Sequence, residues 1–250
     1  MIERRVEGDV VVLQLRHHKA NALDLELLAA LEQELAAAEE AGAAVVLTGS
    51  GSIFSAGVNL FRLLDGGTAY LEAFLPALDA ALRRLFVFPR PIVAAVNGHA
   101  MAGGWILACG CDYRVMALGY GKVGTPELQV GVPFPAVPLE TLRYAMPPQH
   151  LQAMALAGRT YNGEEALRAG LVDEAVTPEE VLPRAIAVAA EMAKAPAEAF
   201  RLTKLQLRQP ALDRAQAAAA VDAEVRRAWL RPETAAVIRG YLERVVGRSG

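Results

Sequence analysis

Cysteine is nearly absent. Only Cys109 and Cys111 occur in 250 residues, two apart, which excludes both a disulfide framework and a zinc ligand set. They read as small buried residues with free thiols. Massed charge is missing as well: the net charge is −3 and the Lys and Arg residues are scattered, so nucleic acid finds no basic field to bind. No Gly-x-Ser-x-Gly elbow is present, which disfavours a serine hydrolase. Met1-Ile2-Glu3-Arg4-Arg5 leads straight into a strand, without an apolar signal core or an Arg- and Ser-rich leader, so the expected compartment is the cytoplasm. Charge is also lacking from Pro91 to Cys111, a stretch long enough to raise a membrane span. Asn97, His99 and glycines interrupt it and its first half is β-rich, so a buried strand followed by a buried helix is the better reading. No membrane partner is expected.

What is present is apolar and regular. A chain that is 54% hydrophobic can bury a full core as one domain. Residues 1–195 are expected to form an α/β core, and residues 196–250 a helical region packing on it or on a neighbouring subunit. Val10 to Leu15 reads as a strand, Asp24 as the N-cap of a helix to about Glu40 ended by Gly42, and Val45 to Leu47 as a buried parallel strand. Tyr70 to Phe88 is helical by pattern and closes at Pro89-Arg90-Pro91, before the buried strand Ile92 to Val96. Beyond Pro148 strand character fades, and helices are expected at 149–157, 163–169, 178–194, 196–208, 213–230 and 232–246, with Pro178, Pro196 and Pro232 marking starts. Alternating strands and helices indicate a layered α/β core with functional groups on loops after strand ends.

Two such loops are rich in small residues. Asn97-Gly98-His99-Ala100-Met101-Ala102-Gly103-Gly104-Trp105-Ile106 carries a strand into a helix, and the carboxylate of Gly124-Thr125-Pro126-Glu127 follows. Upstream, Phe54-Ser55-Ala56-Gly57-Val58-Asn59-Leu60 follows the strand at Val45. Backbone N–H donors at a helix N-terminus beside one acid suit chemistry in which negative charge develops on an oxygen. Taken alone, each turn is equally well a tight loop that needs small residues.

Together these turns resemble the crotonase superfamily, the enoyl-CoA hydratases and isomerases. Asn21-Ala22-Leu23, Leu156-Ala157-Gly158-Arg159, Glu164-Glu165-Ala166 and Gly170-Leu171-Val172-Asp173 extend the likeness along the chain. The resemblance implies a spiral core of ββα units, assembly into trimers or dimers of trimers, and an acyl-CoA thioester substrate. Coenzyme A would enter only as part of that substrate, with no separate cofactor and no metal. It assigns the amides of Val58 and Gly103 to the oxyanion hole and Glu127 to the proton shuttle, ionised at neutral pH with a modestly raised pKa. Lys19, Ala20, Ser55, Ala56, Asn59 and Ile106 would meet the substrate, while Trp105, Phe61, Phe134 and Leu128 are acyl-pocket candidates that are equally well core residues. Ile106 stands where hydratases of the family carry a second glutamate, and Val132-Pro133-Phe134-Pro135 replaces their glycine-rich stretch. Both departures point to the one-glutamate, isomerase-like branch. Hydration by a non-standard site and acyl-CoA binding without turnover are the alternatives. His99 and Asp112 are expected to be structural.

Overall fold

The computed structural model describes residues 1–246, so the last four residues of the expected helical region lie outside the described residues. β1 (Ile2–Glu7) and β2 (Val10–Leu15) precede α1 (Leu25–Glu40), β3 (Ala44–Thr48), β4 (Ile53–Ser55), α2 (Leu60–Phe86), β5 (Ile92–Val96), β6 (His99–Met101) and α3 (Gly103–Gly110). Next come β7 (Tyr113–Ala117), β8 (Val123–Gly124), α4 (Glu127–Val130), α5 (Ala136–Ala145), α6 (Pro148–Ala157), α7 (Gly163–Arg168) and β9 (Glu174–Val176). The chain continues with α8 (Val181–Met192), α9 (Ala197–Ala217), α10 (Ala219–Trp229) and α11 (Pro232–Val246).

The larger sheet has the order β1-β2-β3-β5-β7-β9 and is parallel apart from the β1–β2 hairpin. Its central strands are apolar on both faces, as burial between two helical layers requires. Val12, Val46, Ala95 and Val115 meet α8 on one side, while Leu13, Leu47, Ala94 and Met116 join the main core on the other. The uncharged stretch at Pro91 thus becomes β5, β6 and α3, and no helix among the described residues is long and apolar enough to cross a membrane.

A second, smaller sheet positions the site. β4, β6 and β8 lie side by side and parallel, with Ile53 opposite His99 and Met101 opposite Gly124. Parallel strands end on the same edge, so the turn after β4, the start of α3 and the start of α4 are brought together.

Several expected boundaries shift. The helix expected from Tyr70 to Phe88 begins ten residues earlier, at Leu60, capped by Asn59, and ends at Phe86. At Gly66-Gly67 the backbone kinks, with Gly67 at φ 59°, and the helix resumes. Pro178 does not start a helix. Thr177 and Glu180 close a turn around it, and α8 begins at Val181. Pro210 does not end one either, so the expected break at 208–213 lies inside α9, and the boundary falls at Ala218. β7 and β9 add edge pairing that the residue pattern did not show.

α9 is tied to the core through a buried charge cluster. Asp112 accepts from Lys204 Nζ and Arg208 Nη2, each at 2.8 Å, and from the Ile92 amide at 2.9 Å. Arg208, 2% exposed, also donates to the carbonyls of Phe86, Gly110 and Cys111, and its guanidinium lies 4.4 Å from the centroid of the Phe86 ring. Burial pushes the Lys204 ammonium down to about 8 despite the opposing Asp112 charge. Burial also lifts both cysteine thiols to about 12. Asp112 is therefore a structural anion. Arg208→Met strands part of its charge and three carbonyls, and is expected to cost about 3–5 kcal/mol. Urea unfolding checks this, and a loss below about 1 kcal/mol would show that the cluster is dispensable.

Candidate active site

The two small-residue turns touch through their backbones. Gly57 has φ 86°, and a Cβ there would lie 2.6 Å from the Ala102 Cβ and 2.9 Å from the Gly103 nitrogen. A Cβ on Gly104 would lie 2.3 Å from the Ser55 carbonyl oxygen. No side chain fits at either contact, which is why both turns are built of small residues.

Hydrogen bonds lock the upstream turn onto the segment before α1. Ala56 N–H donates to Ala20 O at 2.9 Å, Leu23 N–H to Gly57 O at 2.7 Å and Asn59 N–H to Leu23 O at 2.8 Å. Asn21 stands in the left-handed region at φ 47°, and its side-chain amide reaches the carbonyls of Ile53 and Phe54. The amides of Val58 and Gly103 are among those in this region that meet no acceptor among the described residues. The Gly103 amide opens α3, where the first N–H groups have no partner within the helix. Such donors can hold an oxyanion.

Beside these turns lies a cavity of about 520 Å³. Lys19, Ala20, Ala56, Val58 and Asn59 line it, together with Met101 and Ala102 from the second turn. Asn59 also caps α2, its side chain accepting from Arg62 N–H. Of the acyl-pocket candidates, Phe61 alone is on the wall. Trp105 is fully buried in the core, Leu128 is exposed, and Phe134 packs against the core. Two expected substrate contacts also lie elsewhere. Ser55 is wholly buried, bonding Asn21 O at 2.7 Å and accepting from Gly57 N–H, so it shapes the turn from behind. Ile106 is 3% exposed and belongs to the core because α3 is buried along its length. His99 is exposed and accepts from the Lys122 amide, away from the cavity.

The remaining wall comes from residues that no local pattern singled out. Pro126, Val130 and Val132 flank α4, while Trp229, Tyr241 and Leu242 come from α10 and α11 of the same chain. Trp229 is fixed by its indole N–H, which donates to Pro133 O at 2.8 Å. Its only sequence signal is a large aromatic in a segment otherwise rich in Ala and Arg.

Glu127, directly after Pro126, occupies the first turn of α4. It is 7% exposed, and its Oε2 has no hydrogen-bond partner among the described residues. With no cation opposite it, burial raises its carboxyl from 4.5 to about 8, against a small opposing effect of its own backbone amide. Burial thus lifts Glu127 further above the ordinary carboxylate range than the modest rise that the resemblance implied. Burial, and then the Glu127 charge, raise the Tyr241 phenol on the cavity wall.

Among the described residues, one group has metal-ligand character: His17, His18 and Asp24, whose ligand atoms lie within 4.8 Å of one another. The 2.7 Å bond from His17 Nε2 to Asp24 Oδ2 already occupies it, and the other Asp24 oxygen caps α1. It reads as a structural pair.

The raised carboxyl has a thermodynamic consequence. Between pH 4.5 and 8 the folded chain keeps a proton that the unfolded chain loses, so this group's contribution to stability falls as pH rises across that window and levels off above it. Glu127→Gln removes the dependence. The stability of Glu127→Gln relative to wild type is expected to grow by on the order of 4 kcal/mol from pH 5 to pH 9, read by denaturant unfolding. A flat difference would mean that Glu127 titrates as it does in water.

Comparison with known proteins places this geometry. The family model described as enoyl-CoA hydratase/isomerase matches residues 5–245. The chain is 30% identical to crotonyl-CoA hydratase of Syntrophomonas wolfei over 79% of this chain and 77% of that protein. It is 28% identical to the mitochondrial enoyl-CoA delta isomerase 1 of Homo sapiens, over 86% of this chain and 72% of that protein. The crystal structure of human mitochondrial delta3-delta2-enoyl-CoA isomerase superposes with a TM-score of 0.93 at 26% identity, covering 100% of this chain and 99% of that one. With a match over almost its whole length and the corresponding fold, this chain belongs to the enoyl-CoA hydratase/isomerase family, the crotonase superfamily.

Proposed function

We propose that this enzyme moves a double bond in an acyl-CoA thioester from the 3,4 to the 2,3 position. The observation that carries the reading is the buried carboxyl of Glu127, with no cation opposite it among the described residues, and it is joined by isoleucine at position 106, where the family resemblance puts the second acid of hydratases. In its ionised form, Glu127 takes a proton from C2. The C2–H electrons form C1=C2 as the C1=O π electrons move onto the thioester oxygen, giving a dienolate that still holds C3=C4, and the Val58 and Gly103 amides hold the charge on that oxygen. As the oxygen re-forms C1=O, the C1=C2 electrons become C2=C3 and the C3=C4 pair takes the proton back from Glu127 at C4. No oxidant, metal or cofactor is consumed, and coenzyme A enters only as part of the substrate. Lys19, Ala20, Ala56 and Asn59, on the cavity wall, are the residues proposed to meet it.

The names of relatives favour a second reading, hydration of a 2-enoyl-CoA, since crotonyl-CoA hydratase is among them. An apolar wall leaves a nucleophilic water without a base and poorly solvated, so hydration is expected to be orders of magnitude slower than isomerisation. Assaying a 3-enoyl-CoA and a 2-enoyl-CoA on one preparation decides between them. Isomerisation kcat/KM should rise with pH toward a plateau above about 8, as the base loses its proton. Glu127→Gln should lower kcat by about 10²–10⁴ with coenzyme A binding kept. Faster hydration would overturn the isomerase reading, and binding without turnover of either substrate would leave an acyl-CoA-binding protein.

We also propose a homotrimer or a dimer of trimers, supported by the family and by the exposed Leu202, Leu205 and Leu207 on α9. Light scattering at micromolar concentration should give three or six times the chain mass, and a stable monomer would contradict it.

A further inference from the structure

Ala102 carries a backbone conformation that the reaction outlined above does not explain. Its φ of 51° and ψ of −129° match the first central position of a type II′ turn, where glycine is the usual occupant. Only two other non-glycine residues among the described residues, His18 and Asn21, have positive φ. A side chain held in such a region persists only where its surroundings fix it, and strain of this kind gathers at functional sites.

Ala102 is held from the turn after β4, from the end of β8 and from α3. Its N–H donates to Gly124 O at 2.7 Å, three residues before Glu127, and its C=O accepts from Ile106 N–H at 3.1 Å, starting α3. Its methyl faces Gly57, so closely that a second Cβ there would lie 2.6 Å away. The Gly103 N–H belongs to the peptide that rotates about ψ of Ala102, so the direction of that donor is set by Ala102 and not by the torsions of Gly103. Glycine at 102 would adopt the same φ and ψ without strain, but it would also free that peptide and remove the methyl from between the two turns.

We infer that Ala102 is a positioning residue: its methyl, wedged against Gly57, holds the Gly103 amide in the orientation that meets an enolate oxygen, at a cost in fold stability. The inference rests on the reading of Val58 and Gly103 as oxyanion donors.

The test uses the full-length protein and acetoacetyl-CoA, a 3-oxoacyl thioester whose enolate absorbs in the near ultraviolet. For wild type, Ala102→Gly and Ala102→Ser, the enolate band per bound ligand is measured beside the thermal midpoint. Ala102→Gly should be at least as stable as wild type yet show about tenfold less enolate at saturation, and Ala102→Ser, which keeps a Cβ, should restore the band. A merely structural residue would lose stability and enolate together, and that result overturns the inference. So does an unchanged band in Ala102→Gly, which leaves the donor reading standing. Wild-type binding with no enolate band would overturn the donor reading and the inference with it.

Discussion

Three parallel strand ends converge on one edge of a small sheet, and their backbones approach so closely that Gly57 and Gly104 have no room for a Cβ. Much of the site follows from that contact. It presses the turn after β4 against the start of α3, leaving the amides of Val58 and Gly103 without protein acceptors, and it sets the Pro126-Glu127 corner beside both. The larger sheet, with α8 on one face and the main core on the other, is the rigid support that lets such short strands hold position.

The second constraint is electrostatic. A carboxyl out of water needs a cation, a set of donors or a proton, and Glu127 has neither cation nor side-chain donor. The contrast with Asp112 is instructive, since both acids are buried. Asp112 is met by Lys204, Arg208 and a backbone amide and serves as an anchor, whereas Glu127 meets no cation or side-chain donor among the described residues and burial raises it to about 8. A carboxyl that titrates close to working pH can both take and return a proton, which suits a shuttle between two carbons of one substrate.

Much of this arrangement was legible in the sequence because it depends on local backbone chemistry. Small residues at 55–57 and 102–104 announce close approach, and the family resemblance singles out Asn21 and Glu127. What was not legible depends on distant parts of the chain. Trp229, Tyr241 and Leu242 complete the cavity from helices about a hundred residues after Glu127, and their own segments carry little beyond the large aromatic at 229 to mark them. Ser55 and Ile106 were placed on the substrate side because sequence position does not reveal which way a side chain faces at a buried turn or helix. The size of the Glu127 shift was not legible for a related reason: it depends on how completely later helices exclude water. The helix start expected at Tyr70 and the break expected between 208 and 213 both lie inside longer helices, α2 and α9.

The central claim is a lone carboxyl held out of water beside two free backbone amides. The infrared difference spectrum between wild type and Glu127→Gln, recorded across pH on the free protein, reads that group alone. The protonated carbonyl stretch should be present at neutral pH and vanish with a midpoint near 8. A midpoint in the ordinary carboxylate range, near 4.5, would contradict the account.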